Sequence, residues 1–106
     1  MYKVPTITRY AVMHDSCEIP GRSIPADVDE LFDRYLPLND RCEMSIGVFD
    51  DVESARAELA KHRCSAWKPG SIISAELFWI ESGTYDAQDG EFLDGGDIWD
   101  YAKYDV

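Results

Sequence analysis

The chain has 106 residues, which suits a single domain over residues 1–106 and leaves no room for a second core. Its 21 acidic and 10 basic residues give a net charge of -11, which argues against direct binding to nucleic acid or to an anionic membrane, because both are held through Lys and Arg. No apolar run approaches the ~20 residues of a membrane span, the N-terminus lacks an apolar signal core, and three cysteines make a poor disulfide framework. We therefore expect a cytoplasmic protein.

The first third of the chain predicts a strand, a loop and a short helix. Residues 6–13 are rich in β-branched and aromatic types and predict a strand, after which a loop is expected from His14. Between Val28 and Leu36 apolar residues recur at helical spacing, and acids fill the opposite face. Pro37 is expected to end this helix, because proline cannot continue the hydrogen-bond ladder.

The middle of the chain predicts a strand followed by a second helix. Apolar and small or polar residues alternate from Met44 to Phe49, which is the period of a half-buried strand. Asp50 and Glu53 form a capping-box arrangement, which predicts that a helix begins at Val52 and runs to Arg63. The basic residues in its last turn complement the exposed carbonyl groups there.

The last third of the chain predicts two further strands. Residues 72–80 place large apolar groups on both faces, which is typical of a central strand, and a bulge is expected at residues 82–84. A turn over residues 86–91 contains an Asp-Gly pair that supplies a positive φ angle. A return strand starts at Phe92, is interrupted at residues 94–97, and resumes over residues 98–104.

The resulting order is β-α-β-α-β-β. We predict an α+β fold in which a four-stranded, mainly antiparallel sheet carries both helices on one face.

The negative charge is concentrated in residues 76–106. This segment holds nine acids and one base and therefore carries -8 of the total, whereas the first 75 residues carry only -3. Same-face carboxylates two residues apart on a strand lie about 6.5 to 7 Å from each other, close to the separation of neighbouring phosphates along one nucleic-acid strand. The segment can serve as a solvated face, or it can present carboxylates to a basic groove.

Two stretches carry a resemblance to a known class of proteins. These are residues 49–57, Phe-Asp-Asp-Val-Glu-Ser-Ala-Arg-Ala, and residues 90–99, Gly-Glu-Phe-Leu-Asp-Gly-Gly-Asp-Ile-Trp. In a small acidic α+β chain they resemble the anti-CRISPR and anti-restriction accessory proteins of phages and mobile elements. The resemblance is one of overall character, so it assigns no residue by position. It implies an inhibitor that blocks a host defence protein.

We accordingly predict a non-catalytic protein that binds, as a nucleic-acid mimic, to a basic surface of a nucleic-acid-handling partner. Trp99, Tyr101 and Tyr85 are expected to supply aromatic anchors within the acidic surface. The residues predicted to contact the partner are Asp86, Asp89, Glu91, Asp94, Asp97, Trp99, Asp100 and Tyr101. The alternatives are a small accessory or dimerising domain without mimicry and, third, an enzyme that uses Cys and His groups.

Metal and cofactor sites are not expected. A zinc site would have to draw on four of five groups whose spacings match no zinc motif, namely His14, Cys17, Cys42, His62 and Cys64. The acidic turn at residues 86–91 lacks the alternating Asp and closing Glu of a calcium loop.

Catalysis would need one of three candidate pairs. Cys17 could be activated by His14, Cys64 could be activated by His62, or Asp94 could act with Asp97. None of these lies in a recognisable catalytic motif, so we expect no enzyme.

One positive patch remains, formed by Arg56, Lys61, His62, Arg63 and Lys68. Its members can pair with acids on the same helix, or the patch can meet the acidic segment of a second copy in a charge-paired homodimer.

Overall fold

The computed structural model describes residues 5–20, 23–35, 44–68, 70 and 72–105. These residues form an α+β fold with two helices and six strands. The elements are β1 (Thr6–Pro20), α1 (Val28–Tyr35), β2 (Met44–Phe49), α2 (Val52–Leu59), β3 (Arg63–Trp67), β4 (Ile72–Asp86), β5 (Phe92–Tyr101) and β6 (Lys103–Asp105). Leu36, Pro37 and Cys42 lie outside the described residues, so the predicted end of the first helix does too.

Two long strands form the axis of the molecule. β1 and β4 pair antiparallel over fifteen positions, from Thr6 opposite Asp86 to Pro20 opposite Ile72. At about 3.3 Å per residue such a ladder spans roughly 50 Å, and the molecule measures 56 × 27 × 18 Å. Its radius of gyration is 15.6 Å, against about 13 Å for a compact domain of this size. The long ladder therefore makes the protein elongated.

The sheet has more strands than predicted, and one pair is parallel. Its order is β2-β1-β4-β3-β6, and β5 also pairs with β4, beyond the end of β3. β3 and β6 run parallel, and the other pairs are antiparallel. The prediction of a four-stranded sheet was wrong because it missed β3 and joined β5 and β6 into one return strand. The first strand was also predicted to end too early, at Met13. A strand continues through the expected loop at His14, since β4 offers backbone partners as far as Pro20.

The predicted central strand is confirmed. β4 has neighbours on both sides, and Ile73, Leu77 and Ile80 are fully buried while Trp79 is 2% exposed. Consecutive residues of a strand point to opposite faces. Burial of both Trp79 and Ile80 therefore means that both faces of the sheet are covered at this level.

The two helices lie on opposite faces of the sheet, not on one face as predicted. Phe32 of α1 packs edge-on against the Trp79 ring, with centroids 5.7 Å apart. Arg56 of α2 instead bonds Asp100, which pairs with Ile80 and so lies on the other face. We call these the α1 face, which carries Leu77 and Trp79, and the α2 face, which carries Val12, Phe78 and Ile80. Because β4 carries large apolar side chains on both faces, each face of the sheet must be packed against another element.

The second helix begins at Val52 as predicted, but it ends at Leu59 instead of Arg63, and its N-cap lies one residue later than predicted. Ala55 and Leu59 form its buried stripe, and the chain leaves the helix after Leu59 to form β3, in which Cys64 and Ala66 are buried. The N-cap is Asp51, not Asp50. The Asp51 carboxylate accepts hydrogen bonds from the Ser54 backbone N–H at 2.7 Å and from the Ser54 hydroxyl at 3.1 Å.

Replacing Asp51 by Ala is expected to lower the free energy of unfolding by about 0.5 to 2 kcal/mol, because a helix N–H loses its acceptor. The matched control is Asp50→Ala, which removes only the exposed ion pair from Asp50 to Arg9 at 3.0 Å and should cost about 0 to 1 kcal/mol. Urea unfolding of both variants measures the difference. If Asp50→Ala lowered the free energy of unfolding more than Asp51→Ala, Asp50 would be the N-cap.

Candidate partner-binding surface

β5 follows β4 with three irregularities that control where its side chains point. Each register shift in the β4–β5 ladder places extra residues on β5, around Leu93, around Gly96 and Asp97, and at Trp99. A bulge breaks the two-residue alternation and twists the strand. As a result, every residue of β5 from Phe92 to Asp100 is exposed, with no buried face. The bulge expected at residues 82–84 of β4 therefore lies on the opposite strand.

The bulges set three aspartates opposite alternate residues of β4. Asp94 pairs with Thr84 and Asp100 pairs with Ile80, while the Asp97 backbone N–H donates to the Ser82 hydroxyl at 3.1 Å. Thr84, Ser82 and Ile80 are alternate residues of β4 and share the α2 face. Aspartates three residues apart in sequence thus lie opposite positions two residues apart, about 6.5 to 7 Å from each other along the strand. We call Asp94, Asp97 and Asp100 the aspartate row.

The members of the row differ in how far they are neutralised. Asp100 accepts a bond from Arg56 Nε at 3.3 Å and from the Tyr101 backbone N–H at 3.1 Å. The side chains of Asp94 and Asp97 make no hydrogen bond or ion pair with the described residues. Two of the three carboxylates are therefore exposed and have no bonding partner among the described residues.

Two of the predicted site residues, Asp86 and Asp89, stabilise the turn between β4 and β5 through their carboxylates. Asp86 accepts bonds from the backbone N–H groups of Gln88 at 2.7 Å and Asp89 at 3.2 Å, and Asp89 accepts from Glu91 N–H at 2.9 Å. Gly90 has the positive φ predicted for the Asp-Gly pair, 78°. Glu91 is exposed and its side chain makes no such bond with the described residues.

Exposed apolar side chains lie between the acids of β5. Trp99 is 48% exposed and packs edge-on against Tyr10, with ring centroids 5.4 Å apart. Phe92, Leu93 and Ile98 are exposed as well. Large apolar groups that stay in water beside charges are typical of an interaction surface.

The two predicted tyrosine anchors are more enclosed than Trp99. Tyr101 packs on Phe32 of α1 at a centroid distance of 4.2 Å. Burial, and then the negative charges of Asp29 and Asp33, raise the pKa of Tyr101. Tyr85 is half-buried beneath Arg9, whose guanidinium carbon lies 5.9 Å from the ring centroid. Both tyrosines thus fix the hairpin to the rest of the fold.

The two histidines meet at one phenylalanine. His14 and His62 each stack on Phe78, with centroid distances of 4.2 and 4.7 Å and rings parallel within 5° and 16°. Two rings stacked on one ring must occupy its opposite faces. His62 also contacts Glu58, and the hydrogen bonds of Glu58 to His62 and Lys61 lower the pKa of that carboxyl.

The candidate catalytic pair of Cys64 and His62 is not formed. The Cys64 thiol lies 3.4 Å from the Phe78 carbonyl and 3.3 Å from the Phe78 N–H, while His62 faces Glu58. Burial raises the pKa of Cys64, which disfavours the thiolate. Because Phe78 separates the two imidazoles, His14 and His62 cannot share a metal ion.

No group of three or more His, Cys, Asp or Glu that could hold a metal occurs within the described ranges. The Cys17 side chain lies outside the described part of the structure, and with it the candidate pair of Cys17 and His14. Asp94 and Asp97 are exposed on β5.

Sequence reasoning missed a polar cluster on the α2 face. The Ser16 hydroxyl lies 3.3 Å from His14 Nε2 and 3.4 Å from Glu76 Oε1, and Glu76 lies 3.6 Å from the same nitrogen. The cluster is no catalytic relay, because the hydroxyl and the acid contact one ring nitrogen instead of two. Only the fifteen-residue register of β1 and β4, which sets Ser16 opposite Glu76, could have revealed it.

An open groove on the α1 face was also missed. Its volume is about 330 Å³, and its walls include Met13, Val48, Tyr85 and Phe92, with Gly83 between the last two. A Cβ at Gly83 would come within 3.0 Å of the Phe92 ring and 3.2 Å of the Tyr85 ring. Glycine therefore allows the two rings to close over the strand.

The predicted basic patch is largely paired within its own region. Arg56 bonds Glu53 at 2.9 Å as well as Asp100, Lys61 bonds Glu58 at 3.3 Å, and Arg63 donates to the carbonyl groups of Ala60 and His62. These contacts are the intrahelical pairs and carbonyl contacts expected for basic residues near a helix end.

No family model, curated protein or solved structure matches the chain. Within the described residues, neither helix is long and apolar enough to cross a membrane.

Proposed function

We propose that this protein is a non-catalytic inhibitor that occupies the basic nucleic-acid-binding surface of a partner, in the manner of anti-CRISPR and anti-restriction proteins. The aspartate row is the observation that carries the proposal. Its residues lie opposite alternate positions of β4 on an exposed strand, at about the spacing of neighbouring phosphates. Lys and Arg side chains that bind a phosphate backbone would bind this row through the same charges.

The exposed apolar groups of β5 support the same surface. Carboxylates mainly speed the encounter with a basic partner, whereas buried aromatic groups supply most of the affinity. Trp99 stands beside Asp100 and is half exposed, so it is the anchor that a partner can bury. The elongated shape, 56 Å long and 18 to 27 Å across, suits a groove that normally holds a nucleic acid.

The proposed compartment is the cytoplasm. The odd cysteine count and the buried, reduced Cys64 fit a reducing environment. The proposed partner is a protein and not a nucleic acid, because a net charge of -11 repels phosphates.

The association rate with the partner is expected to fall steeply between about 0.01 M and about 1 M salt, as the Debye length shortens from ~30 Å to ~3 Å. The partner is first isolated from host lysate with the tagged chain, and association is then followed by stopped-flow fluorescence. Nucleic acid that binds the partner should compete with the protein for it. An association rate that is insensitive to salt, or simultaneous binding of nucleic acid, would contradict the proposal.

A further inference from the structure

β2 is an edge strand that carries no charged residue. Among the described residues it pairs only with β1, and none of its six residues is charged. Met44, Ile46 and Val48 are 60%, 37% and 44% exposed. Edge strands generally carry charges or proline, because their unpaired N–H and C=O groups otherwise attract another strand.

The opposite edge strand at this end of the sheet, β5, differs from β2 in its charge. Here the strand order is β2-β1-β4-β5, so β5 forms the opposite edge, and it is protected by the aspartate row and by bulges. A bulge at Ile46 also interrupts the ladder of β2 with β1. That bulge bends β2 but adds no charge to its outer side.

The acids that flank β2 on its C-terminal side are already engaged. Asp50 pairs with Arg9 at 3.0 Å, and Asp51 caps α2. β2 itself contains no charged residue, although the chain as a whole carries a net charge of -11.

We propose that β2 pairs antiparallel with β2 of a second copy of this chain, forming a two-fold dimer with one continuous sheet. Two copies that each carry -11 repel each other least when their acidic segments stay far apart. In this arrangement the two β5 strands are separated by seven strand spacings, about 34 Å along the sheet at ~4.8 Å each, which is several Debye lengths at physiological salt. Neutral edges meet and acidic edges face outward.

This dimer has a distinctive salt dependence. Residual repulsion between two negative copies is screened by salt, and apolar contacts are not, so the dimer should become tighter as ionic strength rises. A dimer formed between the basic patch of one copy and the acidic segment of the other would become weaker. The direction in which salt changes the dimer dissociation constant therefore distinguishes the two arrangements. This measurement does not require the nucleic-acid-handling partner of the proposed function.

The test is sedimentation equilibrium of the full chain over a range of concentrations and salt. Replacing Ile46 and Val48 by Lys should raise the dimer dissociation constant by more than about tenfold, because like charges are then placed opposite each other. The matched control replaces Leu93 and Ile98 on β5 by Lys, which changes the net charge equally and should leave the dimer intact.

Hydrogen exchange of the unmodified chain supplies a measurement that needs no variant. Backbone N–H groups of residues 44–49 should become more protected as protein concentration rises, and those of β5 should not. The proposal would be overturned if the chain remained monomeric or if salt weakened the dimer. It would also be overturned if the dimer were lost only in the β5 control. Concentration-dependent protection of β2 together with loss of the dimer in the β2 variant would support it.

Discussion

Changing Glu91 to Gln and both Asp94 and Asp97 to Asn is expected to weaken partner binding by about 1 to 3 kcal/mol, if the charge pairs are partly desolvated in the complex. The free energy of unfolding should change by less than about 0.5 kcal/mol. These three side chains are exposed and make no hydrogen bond or ion pair with the described residues. Titration calorimetry with the isolated partner and urea unfolding measure the two quantities.

The matched control neutralises three acids elsewhere, Glu18, Asp29 and Asp33. They are exposed and lie outside the hairpin, and their side chains make no hydrogen bond or ion pair with the described residues either. Asp27 is unsuitable for this control, because its carboxylate accepts the Glu30 N–H at 2.9 Å and so caps α1. Equal losses of binding from both sets would mean that only bulk charge matters, and a loss from the control set alone would move the site away from the hairpin.

Replacing Trp79 by Ala is expected to lower the free energy of unfolding by about 3 to 5 kcal/mol. Trp79 is 2% exposed, packs edge-on against Phe32, and donates its indole N–H to Glu81 at 3.2 Å. The substitution therefore opens a cavity between β4 and α1 and leaves the Glu81 carboxylate without this donor. Because a domain of this size is stabilised by only about 5 to 15 kcal/mol, the variant should unfold at a much lower urea concentration.

Trp99 is the natural comparison, since it is the same residue type on the neighbouring strand. It is 48% exposed, so Trp99→Ala should lower the free energy of unfolding by no more than about 1 kcal/mol, from its lost contact with Tyr10. Partner binding should nevertheless fall, because Trp99 is the proposed anchor. A Trp99 variant that unfolds as readily as the Trp79 variant, or that binds normally, would show that Trp99 is a packing residue.

Several features could be predicted from local sequence alone. The helical spacing from Val28, the alternation from Met44 to Phe49 and the two apolar faces of residues 72–80 each indicated the element that is found there. The Asp-Gly pair likewise indicated a turn with a positive φ at Gly90. These features depend on side-chain periodicity and backbone conformational preference, both of which act within a few residues.

The strands that the sequence missed depend on distant partners. β3 has four small or polar residues before Trp67, and β6, which the sequence joined to the return strand, has three residues. Each forms because a neighbour supplies backbone hydrogen bonds: β3 pairs with β4 and β6 pairs with β3. β1 extends to Pro20 for the same reason, because β4 supplies backbone hydrogen bonds along its length. α2 ends early because the chain after it joins the sheet as β3.

The acidity of the last third of the chain was determined by sequence, but its arrangement was decided by tertiary structure. A spacing of three residues between Asp94, Asp97 and Asp100 would place successive members on opposite faces of a regular strand. The bulges of β5 instead set them opposite alternate residues of β4, and every residue of β5 from Phe92 to Asp100 is exposed. Register between strands distant in sequence fixes these positions, and no local pattern of residues encodes that register.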